Sequence, residues 1–553
     1  MLAKRIENRL KILGRKLIDK DFNDLKKNLF ISHCDNLDHG DYYSNFIFLL
    51  ANKTKLSARE IFEKTKDYLE KLSYIKKVEL INGYLNIFIQ KKVFFEDYKK
   101  VLLKKENFLK NNWGRNKKLI IEYISANPTG PLHIGNGRGA VLGDILTNVL
   151  KLSNFRVTKE YYVNDRGNQI DLLVKSVLHY LGKISNEENI YKGDYLKEFA
   201  FKYKKELENM SIEEIKKFTV KYILSKLIKQ TLKNFGTNFD NFYFETDLYS
   251  KNTDKEVIKI LTKKGLIYEK DGATWLNLKK FNEAKDEVLI KNNGEQTYFL
   301  SDIIYNYDKF FIRKFHYSIM IVGSDHHDHI RRLQKTFEYI FNVEAKRFKF
   351  IEYQMVHLYK QGEKIKMSKR KGEFVTLDEL IKEVGVEPIR FYFAKYSPEI
   401  TINFDLNVVK KENINNQIWY LMYTYARFNK ILEKAKEKKF KFDYRQNLKT
   451  NLTKSFIYLI NQDNYLKIFR RINQFPLVIL NSAINLRQNY VISYLLKLAD
   501  ELNSFYEKEI IIKGDSKEIR YKLIFIYYLK NILDLGLHLI NIKPKKELHN
   551  PIS

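Results

Sequence analysis

Cysteine is nearly missing from this 553-residue chain, proline is scarce, and no apolar run is long enough to cross a bilayer. The single Cys34 rules out an intramolecular disulfide framework and any multi-cysteine zinc site. That fits a reducing compartment, and the expectation is a cytoplasmic protein. Only 7 prolines interrupt the chain, which favours helix. No stretch reaches the roughly 18 consecutive apolar residues of a membrane span. The N-terminus, MLAKRIENRLKILGRKLIDKDF, alternates charged and apolar residues at helical spacing and lacks the unbroken apolar stretch of a signal peptide. No membrane partner is expected. Hydrophobic residues make up 44% and aromatics 14%, enough for a large core and against wholesale disorder. The length suits three or four domains. A formal charge of +32 suggests a polyanionic partner, nucleic acid first. The joint abundance of Lys, Asn, Ile, Phe and Tyr is also what drift toward A and T in a genome produces, so charge by itself decides little.

Three regions are predicted. Residues 1–111 read as helices followed by the strand-like VELINGYLNIFI, a small α+β domain. Residues 112–412 read as α/β. KLIIEYIS is a short β-branched run that stops at the breaker cluster Asn127-Pro128-Thr129-Gly130-Pro131. A helix follows, with Val141, Ile145 and Val149 on one stripe and Leu142, Leu146 and Leu150 beside it, and then the strand candidate RVTKEYYV. Strand, tight loop, helix and strand open a nucleotide-binding α/β fold. Residues from about 168 to 295 are mostly charged amphipathic helix, with a strand-like patch near Tyr268–Leu276, and read as an insertion between two halves of a sheet. The α/β pattern returns at YSIMIVGSDHHDH, and a Gly/Lys-rich loop spans 362–372. Residues 413–553 read as an α-helical bundle.

Two segments carry chemistry. SANPTGPLHIGNGRGA (125–140) lies at the strand-to-helix junction. Gly135, Gly137 and Gly139 let backbone approach a ligand, the helix start offers unpaired N–H groups to phosphate, and His133 stands where a side chain can donate to a triphosphate. About 230 positions downstream, Lys366-Met367-Ser368-Lys369-Arg370 forms a cationic loop with Gly362 and Gly372 on either side. Each segment alone is weak. A lone loop histidine is usually an ordinary polar residue, and a KxxK pair is usually a solvated face.

Together they resemble the paired HIGH and KMSKS motifs of class I aminoacyl-tRNA synthetases. EYISANPTGPLHIGNGRGAVLGD followed by EYYVNDRGNQID is similar to the arginyl-tRNA synthetase family, in the bacterial branch that retains KMSK. HGDYYSN and GYLNIFI resemble its N-terminal tRNA-elbow domain. VGSDHHDHIRRL resembles its second nucleotide loop, and NQIWYLMYTYARFNKIL the entrance to its anticodon-binding bundle. The resemblance implies a Rossmann-like catalytic domain with an insertion, between the α+β domain and the helical bundle.

It also implies roles. His133 and Asn136 would contact the ATP triphosphate, and Lys369, supported by Lys366, would close on the leaving pyrophosphate. Gly130, Gly135, Gly137, Gly323, Asp325, Met367 and Ser368 would complete the ATP site, with Mg²⁺ arriving on the nucleotide. Glu122, Ser125, Asn127, Tyr298, Asp302 and His326 would form the arginine pocket. A guanidinium, planar and permanently charged, demands carboxylates, and Tyr298 and Asp302, four apart, share a helical face. Tyr84 and Asn86 would touch the tRNA elbow. The cluster of His326, His327 and His329 invites a zinc reading, but no cysteine accompanies it and the resemblance assigns His326 to substrate. No protein-bound structural metal is expected. The partners implied are tRNA(Arg), L-arginine and ATP, with a monomeric protein.

Two departures stand out. Asn136 occupies the place of the motif's second histidine, either as a phosphate donor or as a helix cap. Glu387-Pro388-Ile389-Arg390 replaces the family's Asp-Ala-Leu-Arg-like approach to the bundle. Another class I synthetase, an adenylylating relative and a non-enzymatic tRNA-binding paralogue are the alternatives.

Overall fold

The computed structural model describes residues 2–18, 22–103, 105–185, 190–250, 252–281, 283, 285–324, 327–365, 375–413, 415–438 and 448–545. At the N-terminus, β1 (Ile31–His33), β2 (Tyr42–Ser44), β3 (Ile75–Ile81) and β4 (Tyr84–Ile89) form an antiparallel sheet in the order β1-β2-β4-β3. The stretch expected as one strand-like patch is a hairpin. Asn82 and Gly83, at φ +51° and +79°, make the two-residue turn that places Ile81 opposite Tyr84. Helices Leu2–Ile18 and Ala58–Leu69 bury their apolar stripes in this domain. The second starts at Ser57, whose side chain and Glu60 cap each other's backbone N–H groups.

The central sheet is parallel. Its strands are β5 (Lys118–Tyr123), β6 (Arg156–Val163) and β7 (Asn241–Phe244), and later β11 (Tyr317–Gly323) and β12 (Phe348–Tyr353). Their spatial order is β12-β11-β5-β6-β7. The chain therefore winds outward from β5 in one direction, then restarts on its other side at β11. A crevice opens beyond the C-terminal ends of β5 and β11, where ligands bind in such sheets. Both stripes expected on helix Ile134–Leu152 are buried, because the helix is enclosed between the sheet and helices Val386–Lys395 and Phe475–Asn485. Small residues permit that depth: a Cβ on Gly143 would come within 2.3 Å of the Tyr123 ring.

The predicted insertion needs one correction. β7 lies inside the 168–295 block yet is the edge strand of the main sheet, pairing with β6 from Glu160↔Asn241 to Val163↔Phe244. Only the chain beyond β7 builds a separate small antiparallel sheet, β8 (Ile267–Lys270), β9 (Ala273–Leu276) and β10 (Glu287–Ile290), whose apolar residues join one cluster with Phe299, Met320 and Phe348. After β12, β13 (Val356–Lys360), β14 (Glu363–Lys364) and β15 (Ile402–Asp405) form a fourth sheet. Helices from Gln417–Glu437 to Ser516–Leu539 make the C-terminal bundle.

The two ends of the chain meet. Tyr42 donates to Asn473 Oδ1 at 2.8 Å, Arg470 pairs with the buried Asp41 at 2.7 Å, and Tyr98 meets Ser455 at 3.1 Å. The N-terminal domain is thus docked on the bundle through buried polar contacts, which would be left unsatisfied if it were removed.

Candidate active site

β5 ends in a strained turn. Ile124 and Ser125 both adopt positive φ, +70° and +38°, which for a β-branched residue costs of order 1–3 kcal/mol. Buried bonds hold it. The Ser125 hydroxyl donates to Glu122 Oε1 at 3.1 Å and accepts from the Tyr162 N–H, and the Tyr161 hydroxyl donates to the Ala126 carbonyl at 2.7 Å. Asn127 Nδ2 donates to Gln169 Oε1 at 2.7 Å. A side chain on Gly130 would strike the Tyr195 hydroxyl at 2.8 Å.

Helix Ile134–Leu152 then begins at His133, whose Nδ1 accepts from the Gly135 N–H at 3.1 Å. Asn136 Oδ1 accepts from the His133 N–H at 3.0 Å, so the capping role is realised, with Asn136 three residues in. Its Nδ2 makes no hydrogen bond among the described residues and keeps two donors. Gly137 and Gly139 turn inward: a Cβ on the first would meet Leu377 at 2.9 Å, and on the second the Tyr353 hydroxyl at 3.1 Å. The absence of side chains there serves helix packing.

Lys366, Met367, Ser368 and Lys369 lie outside the described residues, as do Asp325 and His326. The chain on the far side of the cationic loop is nevertheless placed. Thr376 pairs with His133 as an isolated bridge, and the Leu377 N–H donates to the Leu132 carbonyl at 2.8 Å. The first motif and the chain leaving the second, far apart in sequence, are thus neighbours. Gly323 ends β11, two strand positions beyond the Ile321↔Tyr123 pair.

Another hollow carries both signs of charge, Arg166, Lys285 and Lys291 against Glu245, Asp286, Glu287 and Glu295. Tyr298 begins helix Tyr298–Tyr307 and is 61% exposed toward a cavity of about 890 Å³ that it shares with Glu245, Tyr249, Ser301 and His329. Asp302, one turn along, receives His329 Nε2 at 2.5 Å, and that contact raises the imidazole pKa above its ordinary value. Glu245 follows β7 directly. Burial, reinforced by the Asp302 and Asp165 charges and only partly offset by Arg166, pushes its carboxyl up to about 7. The Tyr162 phenol is pushed far up by burial, and the Glu245, Asp302 and Glu122 charges add to this. Glu122 differs from the others. Its Oε2 accepts from Lys309 Nζ at 2.6 Å, both side chains being buried.

Sequence reasoning missed Glu245 and Lys309. Glu245 stands where a parallel strand ends, a strong position once β7 is known to belong to the sheet. Lys309 sits in a π-type turn, Asp308–Ile312, and carries no sequence signal of its own.

In the N-terminal domain, Tyr84 is 37% exposed and packs edge-on against Tyr43 and Phe48. Asn86 is buried. Its Nδ2 donates to the His39 carbonyl at 2.7 Å, while its Oδ1 has no partner among the described residues. Both line one hollow of about 450 Å³.

A parallel sheet with its crevice at the β5/β11 reversal, a His133-started helix bridged to the segment after a KMSK-type loop, and a helical bundle behind it define a class I aminoacyl-tRNA synthetase. Comparison with known proteins specifies which. Residues 97–390 match the class I tRNA synthetase (R) catalytic domain, 1–89 the arginyl tRNA synthetase N terminal domain, and 421–548 the DALR anticodon binding domain. The chain belongs to the arginyl-tRNA synthetase family. An arginine–tRNA ligase of Aquifex aeolicus is 31% identical over 92% of this chain and 94% of its own length. A putative arginyl-tRNA synthetase structure from Campylobacter jejuni, 27% identical, matches 83% of this chain and all of its own with TM-score 0.73. The Thermus thermophilus arginyl-tRNA synthetase, 18% identical, shares the fold over 99% of this chain and all of its own, with TM-score 0.77.

Proposed function

We propose that this crevice activates L-arginine with ATP and passes it to tRNA(Arg), with the roles assigned as follows. The arginine carboxylate attacks the α-phosphorus of ATP in line, the bond to the β-phosphate oxygen breaks, and pyrophosphate leaves with its electrons. No covalent nucleophile from the protein is needed; the requirement is positioning and stabilisation of spreading negative charge. His133 and the Asn136 Nδ2 group face the triphosphate, bordered by Gly130 and Gly135. Gly323 and Asp325 border the nucleoside. Lys369, with Lys366, Met367 and Ser368, closes on pyrophosphate, and Mg²⁺ enters as the ATP complex, held by phosphate oxygens and water.

Ser125 and Asn127 stand at the amino-acid end, with His326. Because Lys309 already balances Glu122, the counter-charge for the guanidinium falls to Asp302 and Glu245, with Tyr298 at the mouth. The observation that carries this assignment is that Tyr298 and Glu245 line one hollow with His329, whose Nε2 meets Asp302 Oδ2 at 2.5 Å. Tyr84 and Asn86 would meet the tRNA elbow, with Tyr84 stacking on it from the mouth of their common hollow. The units 1–111, 112–412 and 413–553 would act as elbow-binding, catalytic and anticodon-binding parts of a cytoplasmic monomer.

Arginine-dependent ATP–pyrophosphate exchange, with and without tRNA, tests the reading. Lys369→Ala should slow activation by roughly 10²–10³ with arginine affinity nearly unchanged, the range for one preorganised charge stabiliser. Exchange at the parental rate would remove the loop from the mechanism.

A further inference from the structure

Helix Ile134–Leu152 starts at the crevice and carries its last turn roughly 25–30 Å away, at 1.5 Å per residue. There, with β6, the 229–242 segment and the chain end near Lys543, it encloses a second hollow of about 720 Å³. Five lysines line it: Lys151, Lys159, Lys229, Lys233 and Lys543.

Their charge is not offset locally. The one carboxylate in the lining, Asp144, is already bonded to the Tyr123 hydroxyl at 2.9 Å, to Thr237 Oγ1 at 2.7 Å and to the buried Arg390 at 2.9 Å. Lys159 is 8% exposed, and its ammonium donates to the neutral Asn238 Oδ1. Burial lowers its pKa, and the nearby Asp144 and Asp240 charges offset that only in part. Thr147, 2% exposed in the same wall, has an Oγ1 with no partner among the described residues. The remaining wall is aromatic. Phe239 and Phe242 are half-buried, and Lys229 Nζ lies 4.0 Å from the Phe242 ring centre. The helix presents its negative end here, so the attraction for an anion must come from the lysines.

We propose that this hollow binds a nucleotide unit, its phosphate among Lys159, Lys233 and Lys543 and its base against Phe239 and Phe242. The volume suits one such ligand, five lysines around one already bonded carboxylate suit phosphate, and an aromatic wall beside them suits a base. The unit can come from a free nucleotide or from a bound RNA strand.

The test uses the full chain with its crevice filled by a nonhydrolysable arginyl-adenylate analogue, whose own binding is measured first; failure there speaks against the synthetase roles and leaves this site untouched. ATP and a tRNA(Arg) transcript are then titrated separately. The variant Lys233→Glu/Lys543→Glu alters two exposed residues outside the crevice. Lys270→Glu/Lys349→Glu, equally exposed, is the charge control. A free-nucleotide site predicts one further ATP per chain, weakened at least tenfold in the variant. An RNA site predicts no further ATP, but tRNA affinity at least tenfold lower in the variant than in the control. Unchanged affinity for both ligands, or equal losses in variant and control, overturns the proposal.

Discussion

Glu122 and Glu245 each stand near the C-terminal end of a parallel strand, and each is 6% exposed. Glu122 has Lys309 at 2.6 Å and Ser125 at 3.1 Å, and with them it locks the strained turn after β5. Glu245 faces an open cavity beside Asp302, and burial pushes its carboxyl up to about 7. The first is a finished ion pair that holds the backbone. For the second, Arg166 offsets the cost of the charged form only in part, which is what the proposed guanidinium role requires.

The sharpest way to break this comparison is Lys309→Ala. It leaves Glu122 buried without a counter-charge and should cost about 3–5 kcal/mol of stability, read by denaturant unfolding. A loss under about 1 kcal/mol would mean that the pair does not carry the turn. Asp302→Asn should lower arginine activation by roughly 10² and citrulline activation much less, because a buried guanidinium loses part of its counter-charge. Equal losses for the two substrates would move Asp302 out of the pocket.

Glu245→Gln should raise the arginine KM about tenfold at pH 8, the scale of one charge-assisted hydrogen bond. In the parental chain that KM should fall as pH rises to about 7, since only the ionised carboxylate pairs with arginine, and binding below pH 7 should release a proton measurable by calorimetry in two buffers. The sign for stability is opposite. The unfolded chain loses this proton near the ordinary carboxyl value of 4.5, the folded chain only near 7, so folding stability declines as pH rises between them. Glu245→Gln should remove that decline, and its melting temperature relative to the parent should rise across the window. A pH-independent difference would place Glu245 among ordinary surface acids.

The smallest effect belongs to Asn136. Asn136→Ala removes the bond from the His133 N–H to Asn136 Oδ1 and should cost about 1 kcal/mol of stability. If Nδ2 also donates to phosphate, activation should fall by a further one to two decades, whereas Asn136→His should keep most activity. A variant that melts earlier but activates at the parental rate would make this residue a cap and nothing more.

Much of this is legible in sequence. The β5 run, its breaker cluster and the glycine-rich helix start carry local chemistry, and a turn or a cap is decided within a few residues of chain. The β3–β4 hairpin is just as local, yet its Asn82-Gly83 signal is easily lost within a longer apolar patch. β7 is harder. Four residues, NFYF, flanked by amphipathic helix read as insertion until pairing with β6 shows them as a sheet edge. Losing β7 hides Glu245, whose meaning depends on standing at a strand end.

Sequence by itself determined the three-part order of the chain, the strand-to-helix junction and the family, because propensity, turn chemistry and motif spacing act over short stretches. Only the tertiary structure decided which acid is paired with a buried lysine and which is balanced only in part. Lys309 and Glu122 are 187 positions apart, and Thr376 meets His133 across a still wider gulf. Burial and charge pairing are properties of the space around a side chain. That space is assembled from segments whose sequence separation says nothing about their distance.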